Sequence, residues 1–259
     1  MSAKHQVRYR ETKGGAVAQV VFEHGKGNIL TTALIAEIQG VILQCLRNTH
    51  LKLITLEGAG SHFSYGASIE EHAAEAIAAG MRALRELVLT IAGSPVPVAA
   101  LVRGYCLGGG FELAMACHFI FAAPETQFGL PEIKLGVYPP VACAMLPRLV
   151  GQALADRMVI TGENMDGETL CRHGLVHSVA SSGDLHAAIE AWFDSTLAGF
   201  SASSLRHATR ASRAEFLRGL GGAIAARERD YVEKLLSTFD AGEGVRAFLE
   251  KRPPQWRNE

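Results

Sequence analysis

Two glutamates and two glycine turns are the residues of this chain best suited to chemistry. Glu112 lies in GYCLGGGFELAMAC, Gly104–Cys117, two positions after three consecutive glycines. Its neighbours are apolar, where an ionised and unpaired carboxylate is costly to bury. Glu132 follows in FGLPEIKLG, Phe128–Gly136. Two carboxyls around one turn can move protons, and a glycine turn at a helix start lets backbone N–H groups approach a ligand closely. A second glycine region, GAGSHFSYGASIEEH from Gly58 to His72, also follows a strand and precedes a helix. Two such turns can each give one N–H to the same oxygen, forming an oxyanion hole. The pattern suits a reaction in which negative charge develops on a carbonyl oxygen. Tyr65 and Tyr138 neighbour the two motifs and are candidate pocket walls.

Other reactive side chains read as structural. His62, His72 and His118 show no metal-like spacing with a carboxylate partner, so no metal site is expected. The five cysteines are odd in number and lack a CxxC pair, which suggests neither a disulfide framework nor a zinc site. Cys106, Cys117 and Cys143 sit among apolar residues and read as small hydrophobes. The net charge of −1 provides no basic excess for nucleic acid, and the Arg206–Arg229 cluster reads as a solvated helix face. The polar N-terminus lacks a signal-type apolar stretch. The longest apolar run is broken by Arg103, Glu112 and glycines, so no membrane span is expected. A cytoplasmic location is the default expectation.

The elements that must position these groups alternate. Strands are expected at Ala16–His24, Leu51–Gly58, Val96–Gly104, His118–Ala123 and Leu175–Ser181. Helices are expected at Thr31–Asn48, Glu70–Ala92 and Gly110–Cys117. Val96–Gly104 is almost wholly apolar, as for a strand covered on both faces. This is α/β layering. After Asp184 only helical periodicity remains, at Leu185–Leu197, Ser203–Leu217, Ala223–Phe239 and Glu243–Glu250. The expected organisation is an α/β core over residues 1–183, holding the site, and a helical region over 184–259.

The motifs resemble those of the crotonase superfamily, the enoyl-CoA hydratase/isomerase family, along nearly the whole chain. HFSYGASI is similar to the family's first oxyanion loop. GYCLGGGFELAMAC and QFGLPEIKLGV are similar to its second oxyanion turn and second acid loop. The resemblance implies a right-handed spiral of ββα turns with a C-terminal helical trimerisation region, and trimers that pair into hexamers. It implies an acyl-CoA thioester substrate whose coenzyme A is part of the substrate, with no separate cofactor. It places the oxyanion amides on Ala67 and Gly109 and the catalytic acids at Glu112 and Glu132, the pair typical of hydratases. It makes Lys251 a candidate for the CoA phosphates.

The departures from the family pattern are Ser64, Tyr65, Ser68 and His118, and above all GVYPPVACAMLPRL, Gly136–Leu149. There Pro139-Pro140 and the bulkier Val141, Cys143 and Met145 replace a glycine-rich run, so Pro140 and Val141 are expected to reshape the acyl pocket. These runs resemble the cyclohexa-1,5-diene-1-carbonyl-CoA hydratase subgroup; an ordinary linear enoyl-CoA remains open as substrate. Double-bond isomerisation or thioester hydrolysis is the alternative chemistry. A non-catalytic, RNA-binding member is the third, and both retained glutamates and the absent basic excess speak against it.

Overall fold

The computed structural model describes residues 6–68 and 74–259, the side chains of 74–76 excepted. In chain order the elements are β1 (Gln6–Thr12), β2 (Val17–Glu23), α1 (Thr32–Cys45), β3 (Leu53–Gly58), α2 (Ala74–Ala92), β4 (Val98–Val102), β5 (Tyr105–Leu107), α3 (Gly109–Ala116), β6 (Phe119–Ala122) and β7 (Gln127–Gly129). There follow α4 (Pro140–Val150), α5 (Gln152–Thr161), β8 (Asn164–Asp166), α6 (Gly167–Arg172), β9 (Ser178–Val179), α7 (Leu185–Thr196), α8 (Ala202–Leu217), α9 (Leu220–Glu233) and α10 (Phe239–Leu249).

One sheet runs in the order β1-β2-β3-β4-β6-β9, and a smaller one in the order β5-β7-β8. From β2 onward the large sheet is parallel. Every residue of β3 and β4 is buried, because helices cover both faces. On one face Leu53, Ala99, Leu101 and Phe121 meet Leu185, Ile189 and Phe193 of α7. The other face joins a core that includes Ile38 and Ile42 of α1, Leu87 and Ile91 of α2, and Phe111 of α3.

Several elements differ from the sequence expectation. The polar stretch QVRYRET forms β1, antiparallel to β2 in the register Gln6↔Glu23 to Thr12↔Val17. It is the sheet's edge, with no buried residue and Val7, Tyr9 and Thr12 half-buried among exposed ones, so it carries no apolar run. The single strand expected over Val96–Gly104 ends at Val102, and after Gly104 the chain enters the second sheet as β5. The expected Leu175–Ser181 strand contracts to β9. Glu132 sits in a 3-10 turn, Pro131–Leu135. Pro140 opens α4 at its first position, where a missing N–H costs no helical bond. Residues 70–73, the start of the expected second helix with His72, lie outside the described residues.

The C-terminal region is helical. Gly219, with φ 68, is the N-cap of α9, which begins earlier than the expected Ala223. Residues beyond α10 fold back on it. Arg252 pairs with Glu243, and the Asp240 carboxylate accepts from the amides of Arg257 and Asn258. Trp256 packs against Gly136 and Gly244, which places the tail over the turn bearing Glu132.

Candidate active site

Ser64 holds the first glycine loop. Fully buried, it accepts from Gly66 N–H at 3.0 Å through Oγ, which itself donates to Asn28 O at 2.8 Å. Its carbonyl accepts from Leu107 N–H at 2.9 Å. Leu30 donates to Gly66 O and accepts from Ser68 N–H. The loop is thereby pinned between the α1 entry and β5. Gly66 has φ 105, and a Cβ there would stand 2.9 Å from Leu107 O and 3.3 Å from Gly109 N. That close approach puts the amide of Ala67 beside that of Gly109: a Cβ on Gly109 would lie 3.3 Å from Ala67 N. Gly109 is the first residue of α3, where amides have no intrahelical acceptor. The two expected oxyanion donors are adjacent in space.

Glu112 lies in the first turn of α3, a helix buried at every position. Its Oε1 accepts from Ala142 N–H at 2.8 Å, at the start of α4. Burial pushes its pKa up to about 7, against the lowering effect of the Ala142 and Val141 amides. Glu132 is half-buried as a residue, but its Oε2 is enclosed and has no hydrogen-bond partner among the described residues. Burial, then the charge of Glu112, raise its pKa to about 8. Two such carboxyls hold one proton between them near neutrality.

Both glutamates, the Gly66–Ser68 loop and Gly108–Gly109 line one cavity of about 550 Å³. Tyr65, Tyr138 and Pro140 line it too. Tyr65 is 42% exposed, with its ring 4.9 Å from the ring of His62. Tyr138 is anchored by its hydroxyl donating to Arg227 O at 2.7 Å. Val141 is not among the lining residues. It and Met145 are buried in the main core, and Cys143 is half-buried away from the lining. The reason is helical: in α4 only the N-terminal Pro140 reaches the cavity, and the following turn packs inward. The proline pair therefore shapes the pocket without the three bulky residues expected beside it. Lys251 is exposed just past α10 and also lies outside the lining, which instead takes Lys134, Arg252 and Pro254. His118 does not line this cavity. Its Nδ1 accepts from Val98 N–H at 3.1 Å, and burial depresses its pKa to about 3.

Residues the sequence did not single out complete the cavity, among them Ile77, Met81 and Leu84 of α2, Val137 and Tyr231. Tyr231, 3% exposed, sits in RERDYVE of α9, and its ring meets that of Tyr138 edge-on at 5.4 Å. Its one sequence signal is a lone aromatic in a charged helix.

An apolar cavity with two convergent amides and two proton-sharing carboxyls is a site for enolate chemistry on a bound carbonyl compound. Comparison with known proteins agrees. Residues 12–259 match the model of the family described as Enoyl-CoA hydratase/isomerase. The cyclohexa-1,5-dienecarbonyl-CoA hydratase of Thauera aromatica is 40% identical over 246 residues, covering 95% of each chain. The 2,3-dehydroadipyl-CoA hydratase of Escherichia coli K12 is 33% identical over 232 residues, covering 89% of this chain and 90% of the relative. The crystal structure of an enoyl-CoA hydratase from Mycobacterium avium subsp. paratuberculosis K-10 superposes with a TM-score of 0.84 at 27% identity, covering 97% of this chain and 98% of that one. The chain belongs to the enoyl-CoA hydratase/isomerase family, within the crotonase superfamily. It is an enzyme of the carbon–oxygen lyase class, a hydratase of unsaturated acyl-CoA thioesters.

Proposed function

We propose that the chain adds water to, or removes it from, a compact cyclic unsaturated acyl-CoA, with cyclohexa-1,5-diene-1-carbonyl-CoA as the substrate of choice. The observation that carries the hydratase chemistry is the pair of buried carboxyls with raised pKa values in the cavity that holds the Ala67 and Gly109 amides. The thioester oxygen sits between those amides, which stabilise the enolate as it forms. Glu112 accepts backbone N–H bonds and lies at a helix N-terminus, both of which favour its ionised form. Glu132, the higher of the two in pKa and without a donor on Oε2, keeps the proton. Glu112 is thus the base that takes a proton from the attacking water. Glu132 is the acid that delivers one to carbon.

The cyclic acyl group is supported by the Thauera aromatica relative and by the cavity's walls. Tyr138 and Tyr231 meet edge-on, and Pro139-Pro140 fixes the backbone where α4 begins. Lys134 and Arg252 line the cavity, and we assign them to the CoA phosphates; Arg252 is also engaged by Glu243. No separate cofactor is required by this chemistry. A homotrimer or a pair of trimers is the assembly we propose, supported by the resemblance and by the exposed Phe248 and Leu249 on α10. No helix among the described residues is long and apolar enough to cross a membrane.

The test is a comparison of substrates. A cyclic dienoyl-CoA should exceed crotonyl-CoA in kcat/KM by about tenfold or more, the roughly 1–3 kcal/mol that apolar pocket fit supplies. Equal or better turnover of crotonyl-CoA would replace the cyclic reading with a linear one.

A further inference from the structure

Tyr231 is a buried phenol that the chemistry above does not use. Its ring lines the cavity beside Glu112 and Glu132, yet among the described residues its hydroxyl has no hydrogen-bond partner. Its neighbour Tyr138 differs, since that hydroxyl is already committed to Arg227 O. A buried polar group left without a partner is costly. Glu132 Oε2 also lacks a partner among the described residues and, unlike the phenol oxygen, is enclosed. Burial raises the Tyr231 phenol first and the charge of Glu132 second, with Tyr138 and Glu112 contributing, and Tyr231 lines the same cavity as both carboxyls. The Tyr231 side chain and the two glutamates line one cavity, and a small occupant that both donates and accepts would bridge the phenol and the carboxyls.

We propose that Tyr231 is the third group holding the oxygen that is added to the substrate: it accepts the hydrogen that this water, and afterwards the product hydroxyl, does not give to Glu112. This rests on the hydratase reading of the site. The hydrogen bonds of the water then balance. It accepts from the Glu132 O–H, donates one hydrogen to Glu112 and the other to the Tyr231 oxygen, and keeps a lone pair for carbon. After attack, Glu112 holds the transferred proton and the new hydroxyl still points to Tyr231. The phenol touches the reacting oxygen, and its reach determines which carbon of a conjugated acyl group lies in line for attack.

Tyr231→Phe keeps the ring and its contact with Tyr138, and a melting curve matching wild type shows the fold intact. With the cyclic dienoyl-CoA, kcat should fall about tenfold or more while KM stays within about twofold. Binding supplies the discriminating readout. The variant should bind the hydroxylated acyl-CoA product about 3–10-fold more weakly, the range of one hydrogen bond, and the saturated acyl-CoA without a hydroxyl as wild type does. Equal weakening of both ligands, or of neither, would reduce Tyr231 to a wall and overturn the proposal while leaving the hydratase reading intact. A wild type that hydrates neither cyclic nor linear substrates would overturn that reading, and the proposal with it.

Discussion

Glu132 lies in space that only a glycine at position 108 leaves open. A Cβ on Gly108 would stand 2.5 Å from Glu132 Oε1, and Gly108 has φ 50. The second acid is thus seated against the backbone of the turn that presents the first. The glycine run serves the acids as well as the oxyanion hole.

Gly108→Ala should therefore displace the Glu132 carboxyl and strain the turn. A shift of about 1 Å in a catalytic group costs on the order of 100-fold, so kcat should fall by about that factor in a protein that still binds acyl-CoA. Steady-state kinetics with a direct binding measurement checks this; near-wild-type kcat would show that the site tolerates a second position for Glu132.

The pair's shared proton sets the pH dependence. Glu132, raised to about 8, must hold its proton, and Glu112, raised to about 7, must have lost its own. The kcat profile should be a bell centred between about pH 7 and 8, falling on both sides. A profile flat from pH 6 to 9 would contradict proton sharing.

Stability should depend on pH through the same groups. A carboxyl whose folded pKa stands above its ordinary 4.5 holds its proton more tightly in the folded state. Its effect on stability is nil below pH 4.5, grows as pH rises, and is complete above about pH 8, where the ionised form must be buried. At about 1.4 kcal/mol per pKa unit, Glu112→Gln should stabilise the protein by on the order of 3 kcal/mol at pH 9 and by little at pH 5. Thermal melts at the two pH values read this directly. A variant less stable at pH 9 would mean that the ionised Glu112 is well compensated.

Assembly is tested by sedimentation at micromolar concentration. A trimer or hexamer is expected, and a stable monomer would remove the proposed role of the exposed α10 residues.

The sequence made the chemical centre legible because its signals are local. Glu112 after three glycines and Glu132 after Leu130-Pro131 carry their setting with them. The strand Val98–Val102 was legible because burial on both faces leaves an unbroken apolar run, and Leu53–Gly58 because its apolar residues end at a glycine turn. β1 was not, since an edge strand needs apolar residues on neither its free edge nor its open face. The roles of Val141 and Lys251 depended on which way a helix turns and where a tail folds back, and adjacency to a motif does not fix either. Tyr231 reaches the site through the packing of α9 on α2 and α4. That long-range relationship has no trace in its charged local sequence.

Hydration by this site requires Glu112 and Glu132 together to hold the water and pass its proton. Reaction in ¹⁸O-labelled water tests it most directly, by following entry of the label into the hydroxyl of the acyl-CoA product. Wild type should incorporate the label at the hydrated carbon. Glu112→Gln and Glu132→Gln should each slow incorporation by about 10²–10⁴-fold while still binding the product. Incorporation at near-wild-type rate in either variant would show that the glutamate replaced neither holds the water nor moves its proton.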